Sequence, residues 1–266
     1  MADKKKLYSC AIITGAGGLL GYHHSEAMIE LGYVTILTDI NKKKLEKQTN
    51  LLKKKYPKAH IFNKYLDVTN EKILKKTFKS ISKQFNIKVL INNASINSAP
   101  NQLANNQIEN FDIKKWNREI KIGLTGYFLT IKHVIHFMKK NKNGIILNIG
   151  SDLSEIAPDH RIYNNGKKLK LLKPISYSVV KHGVVGITKY IAALYANYNL
   201  RCNCVSPGGV ENNQSKKFIS KIKKIIPLGR MAKKNEYKGV VKFLCSEQSS
   251  YLTGQNIVVD GGRSII

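Results

Sequence analysis

Residues 14–21 read Thr14-Gly15-Ala16-Gly17-Gly18-Leu19-Leu20-Gly21 and lie between an Ile-rich apolar run and an amphipathic stretch of helical length. Glycines here let backbone amides approach a ligand, and the helix that follows offers its positive end to a diphosphate. The next apolar run, 34–39, closes on Asp39, 18 residues after Gly21. A carboxylate at that spacing accepts from both hydroxyls of a ribose and repels a 2′-phosphate. The pattern predicts a dinucleotide site that favours NAD(H), while Lys42 and Lys43 beside Asp39 leave NADP(H) open.

Outward from this turn, short Ile- and Val-rich runs alternate with amphipathic stretches. Residues 7–14, 34–39, 60–66, 88–92, 144–151, 200–206 and 256–260 read as strands, apolar throughout as strands buried on both faces should be. Residues 19–31, 42–55, 71–85, 113–140, 174–198 and 234–245 read as helices. Such alternation predicts an α/β fold, a doubly wound, Rossmann-like parallel sheet of seven strands with helices on both faces. No repeat, linker or composition break divides the chain, so residues 1–266 read as one domain. Two stretches, 152–173 and 208–227, fit neither period and follow strands, where open α/β sheets bind ligands, so they read as substrate loops.

A chain of 266 residues buries enough surface to fold without disulfides or a structural metal. Its 45 Lys and Arg against 17 Asp and Glu give a formal charge of +28. That excess is scattered over solvent faces and reads as a compositional bias toward Lys, Ile and Asn. It lacks the aromatic interleaving of a nucleic-acid groove, so no nucleic-acid partner is expected. Cys10, Cys202, Cys204 and Cys245 read as buried thiols, and His23-His24 as a packed pair, so no metal site is expected. No apolar run reaches membrane-spanning length, and the run before Thr14 ends in glycines without a small-x-small cleavage site; a cytoplasmic protein is expected.

Tyr177 and Lys181 are four residues apart at the start of the helical stretch 174–198, hence on one face. A free phenol titrates near 10 and is a poor base at neutral pH. An ammonium about 4 Å away contributes up to ~4 kcal/mol at an effective dielectric near 20, enough to lower the phenol by about three pH units. Ser151, at the end of the preceding strand, is placed to hydrogen-bond the same substrate oxygen.

Together these runs resemble the short-chain dehydrogenase/reductase family over nearly the whole chain. The resemblance rests on Thr14–Gly21, Asp39, Leu66-Asp67-Val68, Asn92-Asn93-Ala94, Asn148-Ile149-Gly150-Ser151, Tyr177–Lys181, Ser206-Pro207-Gly208-Gly209, and Leu252-Thr253-Gly254-Gln255 with Val259-Asp260-Gly261-Gly262. It implies that Tyr177 is the acid/base, that Lys181 lowers its pKa and holds the nicotinamide ribose, and that Ser151 orients the substrate. It further implies a cofactor site of Thr14, Gly15, Gly17, Gly18, Leu20, Gly21, Asp39, Asp67, Val68, Asn92, Asn93, Ala94, Pro207, Gly208 and Val210. Assembly as a homodimer or homotetramer is implied as well.

Three departures stand out. The short, single-domain branch spaces its glycines TGxxxGxG, whereas Leu19 holds the middle position here. Gly123 stands where the family places an Asn that completes a Ser-Tyr-Lys-Asn proton relay. The loop between Ser151 and Tyr177 is unusually long and resembles those of a subset linked to bacterial surface-sugar and sugar-acid metabolism; its His160 and Arg161 are candidates to clamp an acidic or polyhydroxyl substrate. The expected activity is hydride exchange between NAD(H) and a secondary alcohol or ketone, such as a sugar derivative. The alternatives are a 3-oxoacyl-(acyl-carrier-protein) reductase, or a weakly active NAD(H)-sensing protein on the same scaffold.

Overall fold

The computed structural model describes residues 7–97, 100–164, 168 and 170–266. Seven strands form one sheet: β1 (Ser9–Thr14), β2 (Val34–Asp39), β3 (Ile61–Tyr65), β4 (Asn86–Asn92), β5 (Gly144–Ile149), β6 (Leu200–Pro207) and β7 (Asn256–Val259). Their order is β3-β2-β1-β4-β5-β6-β7 and every neighbouring pair is parallel. The direction of winding reverses between β1 and β4, which opens a crevice beyond their carboxyl ends, the place where such sheets bind ligands.

Alternation along each strand sorts the core into two layers. Ala11, Ile13, Leu37, Val89, Ile91 and Leu147 face the helices α1 (Gly21–Glu30), α2 (Lys42–Lys55) and α8 (Lys238–Leu244) through Met28, Leu52 and Leu244. Cys10, Ile12, Ile36, Leu90 and Ile146 face the other way, onto Phe78 of α3 (Glu71–Ser82), Val134 of α5 (Gly126–Lys140) and Ala192 of α6 (Ile175–Tyr195). Side-chain caps start several helices: Asn41 accepts from Lys44 N at 3.0 Å and Asn70 from Ile73 N at 3.1 Å.

Four expectations need revision. β3 is not apolar throughout: as the edge strand it buries only Ile61, leaving Phe62, Asn63 and Tyr65 exposed. The expected helix 113–140 is α4 (Ile113–Ile120), a π-helical turn (Lys121–Thr125) and α5 in succession. Within 208–227 lies α7 (Lys216–Lys223), capped by Ser215, whose short run among lysines masks its period. The loop 152–173 carries two 3₁₀ turns, Asp152–Ser154 and His160–Tyr163, and pairs Leu171–Leu172 antiparallel with Asn101–Gln102.

All four cysteines are buried free thiols. His23 bonds Glu26 at 2.7 Å, and Glu26 also takes Lys55 of α2 at 2.5 Å, which ties α1 to α2. The His24 ring is fully buried, neither of its nitrogens has a hydrogen-bond partner among the described residues, and burial pushes the imidazole down to about 3. In the unfolded chain the same imidazole takes a proton near its ordinary value. Stability is therefore intact above that value and drains away as pH falls toward 3, by about 1.4 kcal/mol per pH unit. Denaturant unfolding between neutral pH and pH 4 should show this slope, and a His24→Phe variant should flatten it.

Candidate active site

The glycine turn is fastened to the end of β4. Thr14 Oγ1 accepts from Asn93 N at 3.0 Å and from Ala94 N at 3.1 Å, while Asn93 Nδ2 donates to Thr14 O and Gly15 O at 3.0 and 2.9 Å. Gly15 has φ +63, and a Cβ there would lie 2.7 Å from Ala94 Cα, so only glycine suits both the backbone and the space. Asp39 holds the same turn from β2: its Oδ2 accepts from Gly17 N at 3.0 Å and its Oδ1 from Asn41 N at 2.7 Å. Leu19 points outward, 37% exposed, so the missing middle glycine leaves the turn intact. Leu20 gives α1 no side-chain cap, which leaves the first amides of the helix for a ligand's charge. A dinucleotide diphosphate fits this cradle.

Other expected cofactor residues ring the same crevice in different ways. Asp67 caps its own turn through Thr69 N and Oγ1, both at 2.8 Å, and Val68 packs against Gly126. Pro207 ends β6, Gly208 N donates to Val259 O at 2.9 Å, and Val210 pairs with Ala232. Asn92 differs. It is wholly buried in a chain running from Thr130 through Asn92 and Asn148 to Thr188, which locks β4, β5, α5 and α6 beneath the crevice.

Ser151, Tyr177 and Lys181 converge beyond the end of β5. Lys181 Nζ donates to Ile149 O at 2.9 Å, an oxygen that also takes the Tyr127 hydroxyl at 3.2 Å. The ammonium is 5.7 Å from the centre of the Tyr177 ring. Burial holds Lys181 down to about 8 and pushes the Tyr177 phenol up to about 12; a hydrogen bond with Ser151 pulls the phenol down and the Asp152 charge pushes it up. Burial thus sets the direction of the phenol, and the Lys181 ammonium donates to the carbonyl at the strand end.

Four participants were not singled out by spacing. Lys173 Nζ stands 3.8 Å over the Tyr177 ring and donates to Asn97 Oδ1 at 3.2 Å; burial first, then the Lys181 charge, lower it to about 8. Glu119, buried at the end of α4, accepts from Ser176 Oγ next to Tyr177. Asp152 and Arg263 form a buried ion pair beside Ser151. Their sequence separations carry no motif.

The two tentative substrate residues part company. Arg161 turns outward, its side chain 86% exposed, and grips Asp159 through Nε and Nη2 at 2.9 Å each. His160 Nδ1 accepts from Lys173 N at 3.2 Å and so anchors the loop beside the cluster. Gly123 lies in the π turn, where a Cβ would come 2.6 Å from Val180 Cγ1, so the space of the family Asn is already filled.

A family described as enoyl-(acyl carrier protein) reductase matches residues 15–264. The 3-oxoacyl-(acyl-carrier-protein) reductase of Buchnera aphidicola subsp. Baizongia pistaciae is 32% identical over 98% of both chains. The chain belongs to the short-chain dehydrogenase/reductase family. It is thereby an NAD(P)-dependent oxidoreductase acting on CH–OH or keto groups. Among other dehydrogenases of the family, the trans-4-hydroxycyclohexanecarboxylate dehydrogenase of Sinomonas cyclohexanicum is 30% identical, covering 96% of this chain and 92% of that one. A short-chain dehydrogenase of Leptospira borgpetersenii, solved with bound NAD+, superposes with a TM-score of 0.83 at 31% identity, covering 99% and 97% of the two chains. No described helix is long and apolar enough to cross a membrane. A Gly15→Ala protein should bind NADH at least about tenfold more weakly in a fluorescence titration, since the added methyl meets both a disfavoured φ and Ala94.

Proposed function

We propose that this short-chain dehydrogenase exchanges hydride between NAD(H) and a secondary alcohol or ketone that carries an acidic group, such as a sugar acid. The observation that supports it is the company around Tyr177: one hydroxyl, Ser151, and two ammoniums, Lys181 and Lys173, on a buried phenol. Two buried cations close together favour an anion over a neutral polyol. The Sinomonas relative, whose name is that of a hydroxy-acid dehydrogenase, agrees with this. Asp39, fixed by two backbone amides, supports NAD(H) as the preferred dinucleotide.

The dinucleotide, when bound, supplies the hydride chemistry. The protein handles the proton. In oxidation Tyr177 takes the alcohol proton, and in reduction it returns one to the carbonyl oxygen. Ser151 holds that oxygen in line with the phenol and bears part of the charge that develops on it. Lys181 keeps positive charge behind the phenol when it ionises. The exposed apolar side chains Phe128, Tyr190 and Leu194 on α5 and α6 support self-association into a homodimer or homotetramer.

A Tyr177→Phe enzyme should lose turnover by about 10²–10⁴-fold while binding NADH as before; turnover at the parent rate removes Tyr177 from the chemistry.

A second reading, reduction of 3-oxoacyl groups on an acidic carrier protein, draws on the Buchnera relative and on the +28 charge. Steady-state rates should separate the two. Oxidation of hydroxy acids such as gluconate with NAD+ supports the first, whereas NADPH-dependent reduction of an acetoacetyl thioester as the faster reaction supports the second.

A further inference from the structure

Asp152 follows Ser151 directly, and Arg263 is three residues from the end of the chain. They meet in the interior: Arg263 Nη1 donates to Asp152 Oδ2 at 2.6 Å, with side-chain exposures of only 6% and 5%. The other carboxylate oxygen, Oδ1, accepts from Ser151 Oγ at 2.8 Å and from Leu153 N at 2.9 Å. The Ser151 hydroxyl and the Asp152 charge in turn both act on the Tyr177 phenol. A continuous line therefore runs Arg263–Asp152–Ser151–Tyr177.

The chain end is built to deliver this guanidinium. Gly262 takes the left-handed conformation at φ +89, and Asp260 accepts from Gly262 N at 2.9 Å and from Ser264 N at 2.7 Å. A buried carboxylate without a partner would be costly, and its charge would oppose any negative charge forming on the phenol nearby. The paired guanidinium removes both problems.

We infer that Arg263 is a positioning residue of the acid–base centre: through Asp152 it sets the direction of the Ser151 proton and cancels the carboxylate's charge at Tyr177. The inference rests on the reading of Tyr177 as the acid/base. Other charged or titratable groups face the same cluster: Lys181 of α6, Lys173, Asp159 and Tyr163 of the long loop, Glu119, Tyr127 of α5, Cys204 of β6 and Tyr237. They are common to every variant below and so drop out of the comparison.

The test places difluorotyrosine at position 177 of the full-length protein, whose ring fluorines bring the phenol toward neutral pH and report its ionisation by fluorine NMR. Arg263→Met leaves a bare carboxylate and should move the titration up by about one pH unit, whereas Asp152→Asn leaves a bare guanidinium and should move it down by a similar amount. The double variant should titrate close to the parent, and Arg263→Lys should recover most of the Arg263→Met displacement. A purely structural pair predicts loss of thermal stability with no opposed displacements. Single variants that titrate with the parent, or that move in the same direction, overturn the inference. Should Arg263→Met fail to fold, Asp152→Asn against the double variant decides the matter alone. Full turnover by Tyr177→Phe would instead discard the acid–base reading and leave the electrostatic result standing.

Discussion

Removing an ammonium from water beside a phenol costs several kcal/mol of solvation, and the architecture around Tyr177 is arranged to meet that cost. Lys181 is met by the carbonyl of Ile149, which the end of β5 presents just before the chain turns at Ser151. Lys173 is met by the π face of Tyr177 itself and by Asn97. Asp152 is met by Arg263. The polar chain Thr130–Asn92–Asn148–Thr188 fastens the strands and helices that carry these groups. Without that fastening the solvation losses would have no compensating geometry, and water would enter.

The π turn between α4 and α5 shows how a departure in one residue is absorbed by another. Gly123 lacks the side chain that other family members use, but Val180, next to Lys181, already occupies the place where its Cβ would stand. The pair is complementary: a larger residue at 123 and a valine at 180 cannot coexist without movement. On the flank, Glu119 accepts from Ser176 at the start of α6.

Much of this was legible in the order of residues. The Ile- and Val-rich runs of β1, β2 and β5 and the run from Thr14 to Gly21 each carry a local signal that burial reinforces. The trio Ser151, Tyr177 and Lys181 stood out because helical spacing and a strand end are local properties. Arg263 and Lys173 did not, because the contacts that give them meaning bridge distant segments and follow no period. The phenol's environment was misjudged for a related reason. Spacing placed the ammonium on the correct face, but only the fold shows that its hydrogen bond goes to Ile149 and that burial dominates. Edge strand β3 broke the apolar pattern because one side of it meets no neighbour.

The short ribbon between Asn101–Gln102 and Leu171–Leu172 joins the segment after β4 to the excursion that precedes α6. Asn106 reaches the Leu172 carbonyl at 2.8 Å, and Asn164 spans the Leu171 carbonyl and amide at 2.8 and 2.7 Å. The two segments are stitched into one wall although about 70 residues separate them along the chain. Because the ribbon couples the two segments, lengthening one side displaces the other, so the wall has to be rebuilt with both halves together.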